Sequence, residues 1–330
     1  MSDLAPGNKS PRILSGIQPS GKLHLGNYFG AIKQHIELQD QGDCFYFIAD
    51  FHALTSLQNA AQLRENVRDV AVTYLALGLD PEKVTLFKQS DVPEVTEITW
   101  LLSTVSGMGF LERAHSYKDK VARGISASVG LFTYPILMAA DILAYQSSLV
   151  PVGQDQVQHV EMTQDMAAYF NNAYGDEVFA RPEYRLDKVP KVPGTDGQKM
   201  SKSYGNVIEI FASGKPLKKS VMGIVTRSTP LEEPLDPEGC TVVELFKLVA
   251  SPDDVKDLEL RYREGGFGYG SAKKVLLERI DQYFEPYRNR REELLRDPGF
   301  VDSVLDAGAR RAREEARRTL DRARRACGLV

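Results

Sequence analysis

Residues 12–31 read RILSGIQPSGKLHLGNYFGA, a stretch that passes from one kind of pattern to another. RILSGI is a short apolar strand that runs into a loop containing glycine and proline, and GNYFGAIKQHIELQ then carries helical periodicity. Further on, CFYFIAD is an uninterrupted apolar run ending at Asp50, the type that forms a strand buried on both faces of a parallel sheet. Helix-like RENVRDVAVTYLALGL follows, then the strand KVTLFKQS. Strand, crossover helix and strand at these lengths predict an α/β fold with a doubly wound parallel sheet. Such sheets bind ligands at the carboxyl ends of their strands. Here those ends carry GIQPSG, then Asp50-Phe51-His52, and after the strand SLVPV the run Gly153-Gln154-Asp155-Gln156. Three polar clusters at three strand ends predict one composite site.

The chain of 330 residues is long enough for two domains. The expected division is a Rossmann-type catalytic domain over 1–207, with a helical insertion at about 95–147, followed by an all-helical region over 208–330. A net charge of −4 means that any nucleic-acid contact must come from a local basic patch. The cysteines, Cys44, Cys240 and Cys327, form no CxxC pair, which argues against zinc or an iron–sulfur cluster and for a reducing, cytoplasmic setting. No apolar run approaches the ~20 residues of a membrane span, and the N-terminus lacks an apolar signal core.

GIQPSGKLHLGN, residues 16–27, has nearly the spacing of a phosphate-cradling P-loop. Two residues argue against that chemistry. Leu23 stands where a magnesium-binding Ser or Thr is needed, and Pro19 has no N–H to offer a phosphate. Instead His24-Leu25-Gly26-Asn27 opens a helix, whose free N–H groups and dipole collect anions. Gly26 allows close approach of a nucleotide, and His24 and Asn27 supply hydrogen-bonding groups. Downstream, GQKMSKSYGN at 197–206 alternates lysine and serine between glycines that can act as hinges. Its cations can close over a triphosphate as charge moves to the leaving group.

HLGN and KMSKS resemble the two signatures of class I aminoacyl-tRNA synthetases. Together with SGIQPSGKLHLGNYFGA, DFHA, TYPILMAADIL and VPVGQDQ, in order and spacing, they resemble the bacterial tryptophanyl-tRNA synthetases. Asn27 replaces the second histidine of the general class I motif, as is typical of the tryptophan branch. The resemblance implies ATP-dependent activation of L-tryptophan and transfer to tRNA(Trp), in a homodimer, with Mg²⁺ accompanying the ATP. It places Gln18, Pro19, Ser20, His24, Gly26, Asn27, Gly153, Gln154, Asp155, Val192, Lys199, Met200, Ser201, Lys202 and Ser203 at the nucleotide. Lys199, Ser201, Lys202, Lys120 and Gln18 take the catalytic roles, and Lys120 matches a position near the pyrophosphate. Among Arg113, Lys118 and Asp119, Lys120 could equally be surface charge. The helical region implied for the anticodon arm is 208–330.

Amino-acid choice turns on Asp141, which interrupts the apolar run TYPILMAADILAY. The helix is expected to start around Thr133-Tyr134-Pro135, with Tyr134, Met138, Asp141 and Tyr145 on one face. A carboxylate among apolar neighbours needs a donor. The resemblance implies that the donor is the indole N–H, with Tyr134, Met138, His52, Gln156, Gly16, Val150 and Val152 shaping the pocket. The alternatives are an Asp141 satisfied by backbone or arginine, and a His52 that is only structural. The C-terminal run AGARRAREEARRTLDRARRACGLV offers either a solvated helix face or a surface for the tRNA backbone, tempered by the pairs Glu314–Arg318 and Asp321–Arg325. Competing readings of the whole are a tyrosine–tRNA ligase, a small-molecule adenylyltransferase with a similar first loop, and a catalytically retired synthetase. The first is disfavoured by GIQPSG and HLGN, the second by KMSKS and the helical tail, the third by the intact loop residues.

Overall fold

The computed structural model describes residues 10–114, 128–186 and 191–330. Five parallel strands form one sheet: β1 (Arg12–Ile17), β2 (Asp43–Ile48), β3 (Val84–Lys88), β4 (Leu149–Val152) and β5 (Glu183–Leu186). Their order is β3-β2-β1-β4-β5, the doubly wound arrangement expected, with the strand order reversing between β1 and β4. β5 lacks an apolar run and is only half buried at the sheet edge, so nothing in its pattern announced it. β1 pairs with β2 along its full length, from Arg12↔Asp43 to Ile17↔Ile48. Against β4 it pairs only at Ile13↔Leu149, so beyond that point the two strands part and leave a cleft at the switch point.

The helix after β1 is not regular. α1 (Leu25–Asn27) passes into a π-helical turn over Tyr28–Ile32 before α2 (Lys33–Leu38). The widened turn buries Tyr28, Phe29 and Ile32 together, and Tyr28 meets Tyr283 and Phe284 edge-on. After β2 come the single turn α3 (Asp50–Ala53) and α4 (Ala60–Ala76). The stretch read as a helical insertion contains α5 (Glu94–Val105), α6 (Met108–Leu111) and α7 (Val129–Ala144). α7 starts earlier than expected: Ser128 caps it by accepting from the Leu131 N–H, and Pro135 lies inside the helix. The serine cap and the burial of Leu131 outweigh the proline's preference for a first turn, at the cost of one intrahelical hydrogen bond.

α8 (Val157–Tyr174) leads to β5, and the remaining helices are α9 (Gly214–Met222), α10 (Thr241–Val249), α11 (Pro252–Glu264), α12 (Tyr269–Arg296) and α13 (Pro298–Ala326). Alternate strand residues feed two apolar clusters, as the pleat requires. Ile13, Tyr46, Ile48 and Leu86 belong to one, Leu14, Phe45, Phe47 and Phe87 to the other. The helical C-terminal region joins both. Leu276, Ile280 and Phe284 of α12 extend the first, and Ala309, Ala312, Ala316, Leu320 and Ala323 of α13 extend the second. α13 thereby covers β3, which is an edge strand and would otherwise offer unpaired backbone.

Gly308 permits that approach, because a Cβ there would stand 1.9 Å from the Leu86 carbonyl oxygen. Arginines of α13 complete the seam: Arg311 reaches Asp43 at 2.6 Å, Arg313 and Arg317 share Glu94, and Arg324 meets Glu97 at 2.6 Å. The Glu314–Arg318 pair forms, whereas Asp321–Arg325 is not among the ion pairs of the described residues. Much of the basic run is thus spent on intramolecular pairing. Gly308→Val should lower stability by about 1–3 kcal/mol or more in urea unfolding, since the obstacle is backbone that cannot rotate away; an unchanged midpoint would contradict the close packing.

Candidate active site

A cavity of about 520 Å³ lies where β1 and β4 part. Its lining includes Gly16, His52, Tyr134, Met138, Asp141, Val150, Val152 and Gln156, which are all the residues expected around an aromatic amino acid. Gln18 and Gly153, expected at the nucleotide, line it as well. Phe47 closes one side, and Gly16 must lack a side chain because a Cβ would sit 2.5 Å from that ring. Gly30 and Ala31 of the π-helical turn also face the space. Tyr145 does not line it. That residue is buried below, stacked on Phe45 at 5.4 Å.

Asp141 is 1% exposed, and among the described residues its partners are Gln89 and His52 rather than an arginine or the backbone. Gln89 Nε2 donates to both carboxylate oxygens, at 2.9 and 2.8 Å, and His52 Nε2 stands 2.9 Å from Oδ2. Burial raises the carboxyl above its ordinary range, and the bonds from His52 and Gln89 draw it partly back. A carboxylate accepts about four hydrogen bonds, so Oδ1, with one contact, keeps capacity for another donor. Among the described residues the donors that Asp141 needs are thus the Gln89 amide and the His52 ring, in place of the backbone or arginine partner that was the alternative. His52 is placed by its short helix α3, and Gln18 Nε2 donates to its carbonyl oxygen at 3.1 Å. Asp50 ties the ends of β2 and β3 together by accepting from the Phe51 and Ser90 N–H groups and from the Ser90 hydroxyl. Tyr134 is fixed by its hydroxyl, 2.6 Å from His159 Nε2.

The residues expected at the nucleotide form a neighbouring group that reaches the GIQPSG loop, where Gly16 and Gln18 line the cavity. Asn27 Oδ1 accepts from the His24 N–H, closing the first helical turn. The Gly26 N–H points at Met200 Sδ, 3.4 Å away, and a Cβ at Gly26 would meet His24 Nδ1 at 2.9 Å. The loop carrying Lys199 to Ser203 is built around Asn206, which is 2% exposed. Asn206 Oδ1 accepts from the Ser201 N–H, and its Nδ2 donates to Asp196 and to the Lys199 carbonyl. Val192 receives the Met200 N–H through its carbonyl. Ser201 and Ser203 hydroxyls lie 2.8 Å apart, and Lys202 Nζ donates to the Ser20 carbonyl at 3.1 Å. The loop thus reaches across to GIQPSG. Pro19 is buried with its carbonyl accepting from Asn66, Asp155 accepts from Gln156, and Lys199 and Gln154 are exposed. Lys120 lies outside the described residues.

Gln89, Asn206 and His159 were not expected here. Gln89 stands at the carboxyl end of β3, so the same strand-end rule that selected the other clusters would have found it. Asn206 ends the quoted loop string, while nothing in the sequence distinguishes His159 from an ordinary core histidine.

The sequence model of the tRNA synthetases class I (W and Y) matches residues 6–285. Over 319 residues the chain is 55% identical to the tryptophan–tRNA ligase of Rhodopirellula baltica, covering 96% of this chain and 99% of that relative. The chain belongs to the bacterial-type class I tryptophanyl-tRNA synthetases. The family's enzyme from Fusobacterium nucleatum is 54% identical, with 97% and 98% covered. A crystal structure of the family's Campylobacter jejuni member, complexed with ADP and tryptophan, superposes with a TM-score of 0.92 at 50% identity, over 96% of this chain and 99% of that one.

Two buried histidines make the fold sensitive to acid. His24 is held down from 6.5 to about 4 by burial and then by nearby Lys202, and His35, bonded to the Tyr74 hydroxyl at 2.8 Å, is held down to about 4 by burial. Both are neutral in the fold, whereas the unfolded chain binds protons below about 6.5. Their contribution is complete above that pH and is lost as pH falls toward 4. The gap in urea midpoint between wild type and His35→Gln should accordingly narrow from pH 6.5 to 4; a constant gap would show that the buried imidazole does not resist protonation.

Proposed function

We propose that the cavity between β1 and β4 is the tryptophan site of a tryptophan–tRNA ligase, and that the neighbouring loops hold ATP. The observation that carries this reading is Asp141, buried on an apolar face with acceptor capacity left on Oδ1 and facing a space of about 520 Å³. Indole supplies one N–H on a large apolar ring, which suits a single acceptor among Met138, Val150, Val152 and Phe47. A smaller side chain would leave a void and an unused acceptor, which disfavours it without a hydrolytic editing site.

The reaction needs position and electrostatics rather than a protein nucleophile. A carboxylate oxygen of tryptophan attacks the α-phosphorus of ATP. The bond from that phosphorus to the bridging oxygen breaks, and its electron pair leaves with pyrophosphate. The terminal ribose hydroxyl of tRNA(Trp) then attacks the carbonyl of the adenylate, gives the ester, and releases AMP. Gln18 and Gly153 stand between the two halves of the site. Lys202 rests on the Ser20 carbonyl, at the first strand-end loop; burial lowers its pKa from the ordinary lysine value, and Asp69 and Glu209 oppose that shift. Lys199 and Lys202 neutralise the departing pyrophosphate, and Ser201 and Ser203 add donors. Lys120 has the same role by its position in the sequence. Among the described residues no three of His, Cys, Asp and Glu converge on a metal position, so Mg²⁺ would be carried by the phosphates themselves.

The helical region over 208–330 takes the anticodon arm. A homodimer is supported by the exposed large apolar side chains Trp100, Met108, Val129 and Leu54 on or beside α5, α6, α7 and α3. No described helix is long and apolar enough to cross a membrane, and the proposed place of work is the cytoplasm, where tRNA is charged. Asp141→Ala should raise the KM for tryptophan by roughly 10- to 100-fold in ATP–pyrophosphate exchange and leave the KM for ATP within about twofold. If ATP binding collapses and selectivity persists, Asp141 is structural; brisk exchange with tyrosine but none with tryptophan would overturn the substrate.

A further inference from the structure

We propose that Gln89 is a positioning residue for amino-acid selection, orienting the Asp141 carboxylate so that a single acceptor direction faces the substrate. The proposal rests on the reading that Asp141 receives the indole N–H.

The geometry around Gln89 allows one arrangement. Its side chain is 1% exposed at the end of β3. On one side Oε1 accepts from the N–H groups of Phe51 and His52, at 3.1 and 3.4 Å. On the other, Nε2 donates to Oδ1 and Oδ2 of Asp141. A flipped amide would set its oxygen against the carboxylate and its N–H groups against two backbone donors, so the orientation follows from the neighbours. Gln89 therefore fixes both the carboxylate and the first turn of α3. That turn carries His52, the other partner of Asp141. Oδ2 is occupied by Gln89 and His52 together, while Oδ1 carries, among the described residues, the single contact from Gln89. A lysine or arginine in place of Gln89 would hold the carboxylate equally well and neutralise it. A neutral amide orients the group and leaves its charge to the incoming N–H.

The test uses two substrates in ATP–pyrophosphate exchange: L-tryptophan, and benzothienylalanine, whose ring sulfur replaces the indole N–H. Wild type should favour tryptophan strongly. Gln89→Met, similar in size and without the donor, should cost tryptophan about tenfold or more in kcat/KM. The same variant should change benzothienylalanine by less than about twofold, so that the preference ratio falls, with the KM for ATP unchanged. Gln89→Asn, whose amide is too short to span from α3 to Asp141, should lower the ratio likewise and serves if Gln89→Met does not fold. Equal losses for both amino acids, or no loss, with a high wild-type ratio overturn the role of Gln89 and leave that of Asp141 standing. A wild-type ratio near one overturns the reading of Asp141 and the proposal with it.

Discussion

A carboxylate taken out of water has to be repaid with hydrogen bonds, and the arrangement of this site follows from how Asp141 is repaid. It receives a neutral amide and an imidazole, from two different strand ends, and among the described residues no lysine or arginine. Each donor is itself held. Gln89 is braced by the backbone of α3, and α3 is braced through Asp50 against the turn after β3. The result is a rigid acceptor in an apolar cavity, which is what discrimination by one substrate N–H demands. An arginine partner would have made Asp141 stable and chemically silent.

That constraint reaches into the fold. Asp141 comes from α7, Gln89 from the turn after β3, His52 from α3 after β2, and the cavity itself from the divergence of β1 and β4. Holding these elements in register falls partly to α13, which lies on β3 through Gly308 and grips the start of α5 through Glu94. The same helix meets α7's end indirectly: Arg12 donates to the Tyr145 carbonyl and pairs with Glu315. The last helix of the chain is therefore a structural part of the sheet's surroundings. Four of its eight arginines, which by composition suggest a free basic surface, are engaged with Asp43, Glu94 and Glu97.

Much of this was legible from the sequence, for identifiable reasons. Buried parallel strands write themselves as unbroken apolar runs, so β2 and β3 were plain, and the strand-end rule led to Gly16, His52 and Gly153, which line one cavity. Edge strand β5 carries no such signal because half of it faces water. α7 starts ahead of the Thr133-Tyr134-Pro135 position that the proline suggests, because Ser128 caps it through a hydrogen bond that composition does not display. The π-helical turn at Tyr28 was invisible for a related reason: its cause is the aromatic packing of Tyr28 and Phe29 against Tyr283 and Phe284, residues far away in the chain. Gln89 was overlooked although it stands at a strand end, since a single glutamine after an apolar strand resembles any chain exit. The loop around Lys199 is legible from its lysines and serines, while the three hydrogen bonds by which Asn206 holds it leave no mark in the pattern.

The central claim is that Asp141 is an acceptor waiting for the ring nitrogen of tryptophan, and a crystal structure of this protein with L-tryptophan bound tests it most directly. The account predicts the indole N–H within hydrogen-bonding distance of Oδ1, with Gln89 and His52 still on the carboxylate. An indole ring lodged elsewhere, or one in the cavity whose nitrogen faces away from Asp141, would contradict it.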